Sequence, residues 1–252
     1  MAGHSKWHNI RHKKAAQDAK KAKIYAKVAK IIELAARNWA DPSLNPALAA
    51  ALAKAKSYSV PKDIIERAIK KWSWQLEWEK LEEIIYEGYG PGGTALLIKA
   101  ITSNKNRTNS NVRSILSKYG WSLGSPGSVW WQFEEKWMII IDGKINKKVE
   151  KGKEIEEVLP LDPKSIEEEI LNFDIEDFEL EDGLLSVITS KDNFAKVAKE
   201  LEQAGFHLKE YELEYLPQNK VALSPQDEEK LIKLIEALEE DDDIDRVYHN
   251  AD

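Results

Sequence analysis

The segment IIYEGYGPGGTALLIKAI, residues 84–101, predicts a β-sheet in this chain. Two apolar runs, residues 84–86 and 95–101, have the composition of strands, and the turn cluster GYGPGG separates them. A phosphate-binding loop explains these glycines less well, because such loops join a strand to a helix N-terminus and here a second strand follows. The segment therefore predicts a β-hairpin.

Upstream of the hairpin the pattern is helical. Residues 12–38 contain no helix breaker, an alanine-rich second helix is expected up to Ser57, and Pro61 opens a third helix. Acidic Asp63 in the first turn of that third helix and basic residues in its last turn match the helix dipole. The N-terminal part of the chain therefore reads as a three-helix unit.

Downstream, helices and strands alternate. A helix is expected over residues 108–119 and a strand at residues 129–133. From residue 138 onward the expected elements are a strand at 138–141, a helix at 165–171, strands near 178 and at 184–188, a helix at 192–204 and a strand at 208–215. The order strand, helix, strand, strand, helix, strand is the ferredoxin-like order.

The last two elements have no partners in this ferredoxin-like unit. They are a helix that begins at Ser224-Pro225 and a strand at residues 244–248. We expect them to return to the sheet begun at Ile84, so that the middle domain is discontinuous. The sequence thus predicts an α+β fold with three domains: a basic helical domain (1–80), a discontinuous α/β domain (81–134 with 217–252) and an inserted ferredoxin-like α/β domain (135–216).

Charge is distributed very unevenly along the chain. Residues 1–72 hold 16 basic and 5 acidic residues, a net charge of +11, whereas the remaining 180 residues carry −18. A polyanion is attracted to the first region and repelled by the second. The N-terminal region is therefore the expected nucleic-acid-binding part of the chain.

Other chemistries are disfavoured by the sequence. There is no cysteine, and no Walker A sequence, HExxH, nucleophile elbow or dinucleotide fingerprint occurs. His4, His8 and His12 have a spacing that suits a metal, but the surrounding cations would repel one. We expect neither an enzyme, nor a cofactor, nor a metal site. The longest apolar runs are too short to span a bilayer, so a cytoplasmic location without membrane contact is expected.

Two further segments contain polar or charged residues that need an interpretation. Residues 104–108 precede a helix and either cap it or bind phosphate at its N-terminus, with Arg107 and Arg113 adding positive charge. Residues 241–243, three consecutive aspartates, are interpreted as a solvated acidic turn.

Several motifs that span nearly the whole chain occur together: Met1-Ala-Gly-His-Ser-Lys-Trp7, Tyr86-Glu-Gly-Tyr-Gly-Pro-Gly-Gly93, Asn106-Arg-Thr108, Gly127-Ser-Val129 and Val247-Tyr-His-Asn250. They closely resemble the YebC family, which includes the mitochondrial translational activator of cytochrome c oxidase. The resemblance implies three domains, one helical and two α/β. It also implies a role described for the family, either as probable transcriptional regulators or as ribosome-associated factors that aid synthesis of proline-rich stretches.

We interpret the chain as a ribosome-associated translation factor that contacts ribosomal RNA, and tRNA is a further candidate partner. The alternative is a regulator of transcription that binds double-stranded DNA, although Gln17 and Arg11 are nearly alone among lysines, which contact phosphate and do not read bases. A third alternative is a scaffold whose basic helices meet an acidic partner, including its own C-terminal region in a weak homodimer. The residues expected to contact nucleic acid are His4, Ser5, Lys6, Trp7, Arg11, His12, Lys13, Lys14, Lys20, Lys21, Lys23, Arg107 and Arg113.

Six tryptophans depart from the family pattern, which has glycine in their place. They are expected in loops without a pocket for an indole, where a positive φ would favour glycine; they are Trp39, Trp72, Trp74, Trp78, Trp121 and Trp137. Our hypothesis is that the source organism reads the UGA codon as glycine.

Peptide mass spectrometry of the natively expressed protein checks this hypothesis. We expect the six positions to carry the mass of glycine and Trp7 to keep the mass of tryptophan. Tryptophan at all six positions would refute the recoding.

Overall fold

The computed structural model describes residues 18–37, 39–71, 81–150 and 153–252. These form two compact units, one with the described residues up to 134 and residues 215–252, the other with residues 135–214. The elements confirm the α+β class, whereas the boundaries of the three expected domains stay a prediction. In chain order they are α1 (Asp18–Ala36), α2 (Pro46–Ser57), α3 (Lys62–Lys71), β1 (Glu82–Tyr89), β2 (Ala95–Thr102), α4 (Lys105–Lys118), β3 (Ser122–Leu123), β4 (Phe133–Glu150), β5 (Lys153–Leu159), α5 (Pro163–Ile170), β6 (Asp177–Glu181), β7 (Leu184–Thr189), α6 (Phe194–Gln203), β8 (Phe206–Pro217), α7 (Pro225–Glu239) and β9 (Ile244–His249).

The three predicted N-terminal helices are present, and their apolar faces form one small core. Asn45 connects two of them, because its Oδ1 accepts the N–H of Leu48 and so caps α2, while its Nδ2 donates to the carbonyl of Ala35 at the end of α1. Much of this core consists of alanine, which lets the helices approach closely. Its buried residues are Val28, Ile32, Ala36, Leu48, Ala51, Ala55, Val60 and Ala68.

The predicted hairpin is the centre of the first sheet. β1 and β2 pair antiparallel from Glu82↔Thr102 to Tyr89↔Ala95, and the turn between them uses positive φ angles at Gly92 and Gly93. The sheet order is β3-β1-β2-β9, so the last strand pairs with β2 after an excursion of more than 130 residues. This pairing places the end of the chain beside the hairpin, as expected.

The second unit has the predicted ferredoxin-like order of elements. β4 pairs with β7 and β8, and β7 pairs with β6. The helices α5 and α6 bury Ile166, Ile170, Val197 and Leu201 against strand residues such as Ile139. The C-terminal half of β4 continues into an unexpected hairpin with β5. Residues 155–159 of β5 are all exposed, so this part of the hairpin offers no buried apolar face that a sequence pattern could reveal.

The prediction of a strand at residues 129–133 is wrong. Trp130–Gln132 is a 3₁₀ turn, and β4 begins only at Phe133. The physical reason is the carboxylate of Glu87, which accepts the backbone N–H groups of Val129 and Trp130. Those donors are therefore not available to a strand ladder.

The expected loop position holds for Trp39, which is 66% exposed, and for Trp121, but it is wrong for Trp137, and none of the three has a positive φ. Trp137 lies in β4 and stacks on Phe194, with ring centroids 4.0 Å apart, so it has a pocket. Trp39 and Trp121 lie outside helices and strands, but the described non-glycine residues with positive φ are Ser59 and Asp182 alone. Trp72, Trp74 and Trp78 lie outside the described residues. The recoding itself stays a prediction.

The interpretation of residues 241–243 as a solvated turn is wrong for Asp243. Its side chain is only 6% exposed, and its backbone carbonyl accepts the N–H of Ile101. Its carboxylate accepts hydrogen bonds from three parts of the unit: from Lys30 Nζ of α1 at 2.9 Å, Thr102 Oγ1 of β2 at 3.2 Å, and Arg107 Nη2 and Thr108 Oγ1 of α4 at 2.6 and 2.9 Å.

These contacts also set the acidity of Asp243. Burial by itself would raise its pKa, but the hydrogen bonds from Arg107, Lys30 and Thr108 outweigh burial and lower the pKa to about 2. Since the pKa of an aspartate in the unfolded chain is about 3.9, the ionised carboxylate stabilises the fold fully above about pH 4. That stabilisation is lost as the pH falls from about 4 to 2.

We therefore expect Asp243→Asn to lower the free energy of unfolding at pH 7 by roughly 2 kcal/mol, because Lys30 and Arg107 lose the negative charge that they share and one of the two acceptor oxygens becomes a donor. Urea unfolding at pH 7 and at pH 2.5 measures this. The difference between wild type and variant should shrink at the lower pH.

Asp242→Asn is the matched control, since the Asp242 side chain is 83% exposed and its loss should cost less than about 1 kcal/mol. Equal losses for the two variants at pH 7 would contradict the structural role of Asp243.

Candidate nucleic-acid interface

The predicted contact residues fall into three groups. Those at positions 4–14 lie outside the described residues, and they are His4, Ser5, Lys6, Trp7, Arg11, His12, Lys13 and Lys14. Lys20, Lys21 and Lys23 lie on α1, where the side chain of Lys21 is exposed. Arg107 and Arg113 lie on α4 with exposed side chains.

One face of α1 carries lysines at positions 23, 27 and 30, which the helical repeat places side by side. This lysine face contacts the acidic turn, which we define as residues 239–243, the last residue of α7 and the four residues that follow it. Lys27 Nζ donates to the carbonyls of Glu239 and Ile244, at 2.6 Å each. The carbonyls at a helix C-terminus carry the negative end of its dipole, so cations are stabilised there.

The two outer lysines of this face contact carboxylates as well as carbonyls. Lys23 Nζ donates to the carbonyl of Glu240 and lies 3.4 Å from Asp242 Oδ1. Lys30 Nζ donates to the carbonyl of Asp242 at 2.9 Å and to the Asp243 carboxylate. The acidic turn therefore supplies, within the chain, the anionic oxygens that a phosphate backbone would offer to these lysines.

Burial affects the lysine face unequally. Lys27 has a lowered pKa, because burial disfavours its charged form more than the nearby Glu239 and Asp245 favour it. Lys23 is more accessible, with 37% of its side chain exposed. Lys23, the predicted contact residue of this face, thus lies at its more exposed end. Its role in nucleic-acid binding stays a prediction.

The start of α4 combines a cap with an ion pair. Asn104 Oδ1 accepts the N–H of Arg107 at 3.1 Å, which is the capping interpretation of residues 104–108. The Arg107 guanidinium donates to Asp243, and this contact raises its pKa. Phosphate binding at this helix end stays a prediction, and the anion that the structure places there is the Asp243 carboxylate.

A groove of about 700 Å³ separates α1 from α4. Ala22 and Ala26 leave space on the α1 side, and Arg107 and Asn111 form the α4 side. The remaining lining residues are Lys23, Lys27, Lys30, Asp241, Asp242 and Asp243. The groove thus brings two predicted contact residues together, Lys23 and Arg107, although 84 positions separate them in sequence. Lys21 and Arg113 do not line it.

The sequence analysis missed a set of exposed aromatic rings near the end of β1. Tyr89, Trp130 and Trp131 are each at least 41% exposed. Tyr89 Oη and Trp131 Nε1 both donate to the carbonyl of Ser128, at 3.2 and 3.1 Å. Exposed aromatic rings offer stacking surfaces for unpaired bases. The Trp130-Trp131 pair after the motif Gly127-Ser-Val129 was the available sequence signal.

The loop that carries these rings is held by Glu87. Its carboxylate accepts the N–H groups of Gly127 at 2.5 Å, Val129 at 2.7 Å and Trp130 at 2.8 Å. Burial opposes ionisation of Glu87, but these three hydrogen bonds together lower its pKa. A charged residue on a strand thereby fixes the loop.

The part of the chain that the structure describes lacks two kinds of feature. Within residues 18–37, 39–71, 81–150 and 153–252, no group of three or more His, Cys, Asp or Glu side chains is arranged to hold a metal ion. In those same stretches, no helix is long and apolar enough to cross a membrane.

Two family models match the chain. Residues 5–75 match the model described as TACO1/YebC protein N-terminal domain, and residues 81–251 match the model described as TACO1/YebC second and third domain. Together they cover nearly the whole chain.

Similar proteins are also known individually. Proteins named probable transcriptional regulatory protein are 44% identical in Thermoanaerobacter pseudethanolicus and 42% identical in Caldanaerobacter subterraneus subsp. tengcongensis. Each comparison covers 100% of this chain and at least 97% of the relative. The crystal structure of a conserved hypothetical protein from Aquifex aeolicus is similar with a TM-score of 0.80 at 32% identity, over 93% of this chain and 91% of that one. Family models, relatives and fold agree, and the chain belongs to the TACO1/YebC family.

Proposed function

We propose that this protein is a non-enzymatic regulator of gene expression that binds nucleic acid through its basic N-terminal region and acts in the cytoplasm. The observation that carries the proposal is the charge asymmetry, +11 in residues 1–72 against −18 in the rest. Such a molecule binds a polyanion at one end and does not wrap it. The names of the relatives, which describe regulators, support a function without catalysis.

Regulation of transcription through double-stranded DNA is the form that the relatives' names favour. The charges of α1 suit phosphate contacts, because its cations are lysines. Its exposed positions 21, 22 and 26 hold lysine, alanine and alanine, and the alanines have no donors for base edges. The expected DNA binding is therefore strongly salt-dependent and weakly sequence-dependent.

A ribosome-associated translation factor that aids synthesis of proline-rich stretches is the second candidate. The same lysine-dominated surface favours it, since contacts to phosphates suit folded RNA as well as duplex DNA. The exposed rings of Tyr89, Trp130 and Trp131 add a feature that duplex DNA, with its bases stacked, would not use. A weak homodimer stays a prediction in either case.

We expect the combined replacement of Lys13, Lys14, Lys20 and Lys21 by alanine to lower the affinity for a 24-base-pair DNA duplex at least tenfold. For duplex DNA, the slope of log K against log salt should become shallower by about three to four, because each lost phosphate contact removes close to one released counterion. Fluorescence anisotropy over a salt series measures both quantities, and co-sedimentation with ribosomes over the same series tests the second candidate.

A matched control replaces four exposed lysines of the other unit: Lys147, Lys148, Lys164 and Lys196. It changes net charge equally and should leave the salt slope nearly unchanged. Equal effects of the two variants would contradict a basic N-terminal interface. Retention on ribosomes at salt that strips the duplex would support the translation factor, and tighter binding to DNA would support the regulator of transcription.

A further inference from the structure

We propose that the acidic turn is an intramolecular competitor of nucleic acid for the lysine face of α1. This inference rests on the proposed function, since it assigns a regulation to the same basic region. The turn belongs to the run 239–245, in which six of seven residues are acidic. Oxygen atoms of the turn accept hydrogen bonds from the ammonium groups of all three lysines of the face. An ammonium has three donors, and each donor that the turn engages is not available to a phosphate oxygen.

The contact has a fixed end and an open end. At the fixed end, Lys27 is enclosed by backbone carbonyls, and Asp243 is buried between α1 and α4. At the open end, Lys23 pairs with Asp242, whose side chain is 83% exposed. Water and salt screen an exposed pair strongly and a buried pair weakly. The competition therefore takes place at the Lys23–Asp242 end, while the Asp243 end keeps α1 in place.

The groove supplies the space that the competition requires. Ala22 and Ala26 leave it open on the α1 side, next to Lys23, and Arg107 stands on the α4 side. A phosphate group that displaces the Asp242 carboxylate meets Lys23 directly. The acidic turn thus lowers the affinity for polyanions that use Lys23.

The test is a double-mutant cycle on the full chain, with the affinity for the 24-base-pair duplex as the readout. An exposed ion pair has a small coupling energy, so Asp242→Asn should tighten binding by about two- to fivefold. The gain should disappear in the Lys23→Ala background, because the carboxylate then has no lysine to release.

Glu229→Gln is the matched control. Glu229 is an exposed acid on α7 that pairs with Lys233, so its replacement removes one negative charge and one exposed ion pair, as Asp242→Asn does. Its effect on affinity should be smaller and should be the same with and without Lys23.

The outcomes separate the two proposals. A gain from Asp242→Asn that depends on Lys23 and exceeds the control supports competition. Equal gains from both variants, or a gain that persists without Lys23, overturn it while leaving the proposed function intact. If neither wild type nor any variant binds duplex DNA or ribosomes, the proposed function fails and the competition fails with it.

Discussion

The carboxylate of Asp243 brings α1, β2 and α4 to one point, and its backbone carbonyl continues the hydrogen bonding of β2 through Ile101. Burial of a lone carboxylate is costly, and it becomes favourable only when several donors converge on it. Here Lys30 and Arg107 supply both the charge and the hydrogen bonds. The position of α1 against the first sheet thus depends on one acid near the C-terminus.

This dependence gives the basic N-terminal region two tasks. Lys27 and Lys30 use their charge to hold the end of α7 and the acidic turn, so they contribute to the fold. The second task, which we propose, is to bind nucleic acid, and it is assigned to the cations nearer the N-terminus. Lys23 shares features of both groups, because it pairs with Asp242 but keeps 37% of its side chain exposed. A charge count therefore does not reveal that Lys23, Lys27 and Lys30 already contact oxygens of the same chain.

Elements that are specified by neighbouring residues were predictable from the sequence, whereas elements that depend on remote contacts were not. The hairpin of β1 and β2 and the helices α2 and α7 were predictable, since strand composition, glycines and capping residues act over a few positions. The hairpin of β4 and β5 was missed because its outer strand is exposed along residues 155–159. Trp137 was misplaced because its stacking partner Phe194 is 57 positions away. A short-range sequence pattern cannot predict a contact between residues so far apart along the chain.

The sequence by itself determined the α+β class, the family, and the separation of positive from negative charge. These properties follow from composition, short-range periodicity and motifs that need no spatial neighbours. Only the tertiary structure decided which charges meet. It buried Asp243 among donors from three elements, placed Lys23 and Arg107 on one groove, and let Glu87 organise the loop of Trp130. The physical reason is that burial and pairing depend on distances between residues that are remote along the chain.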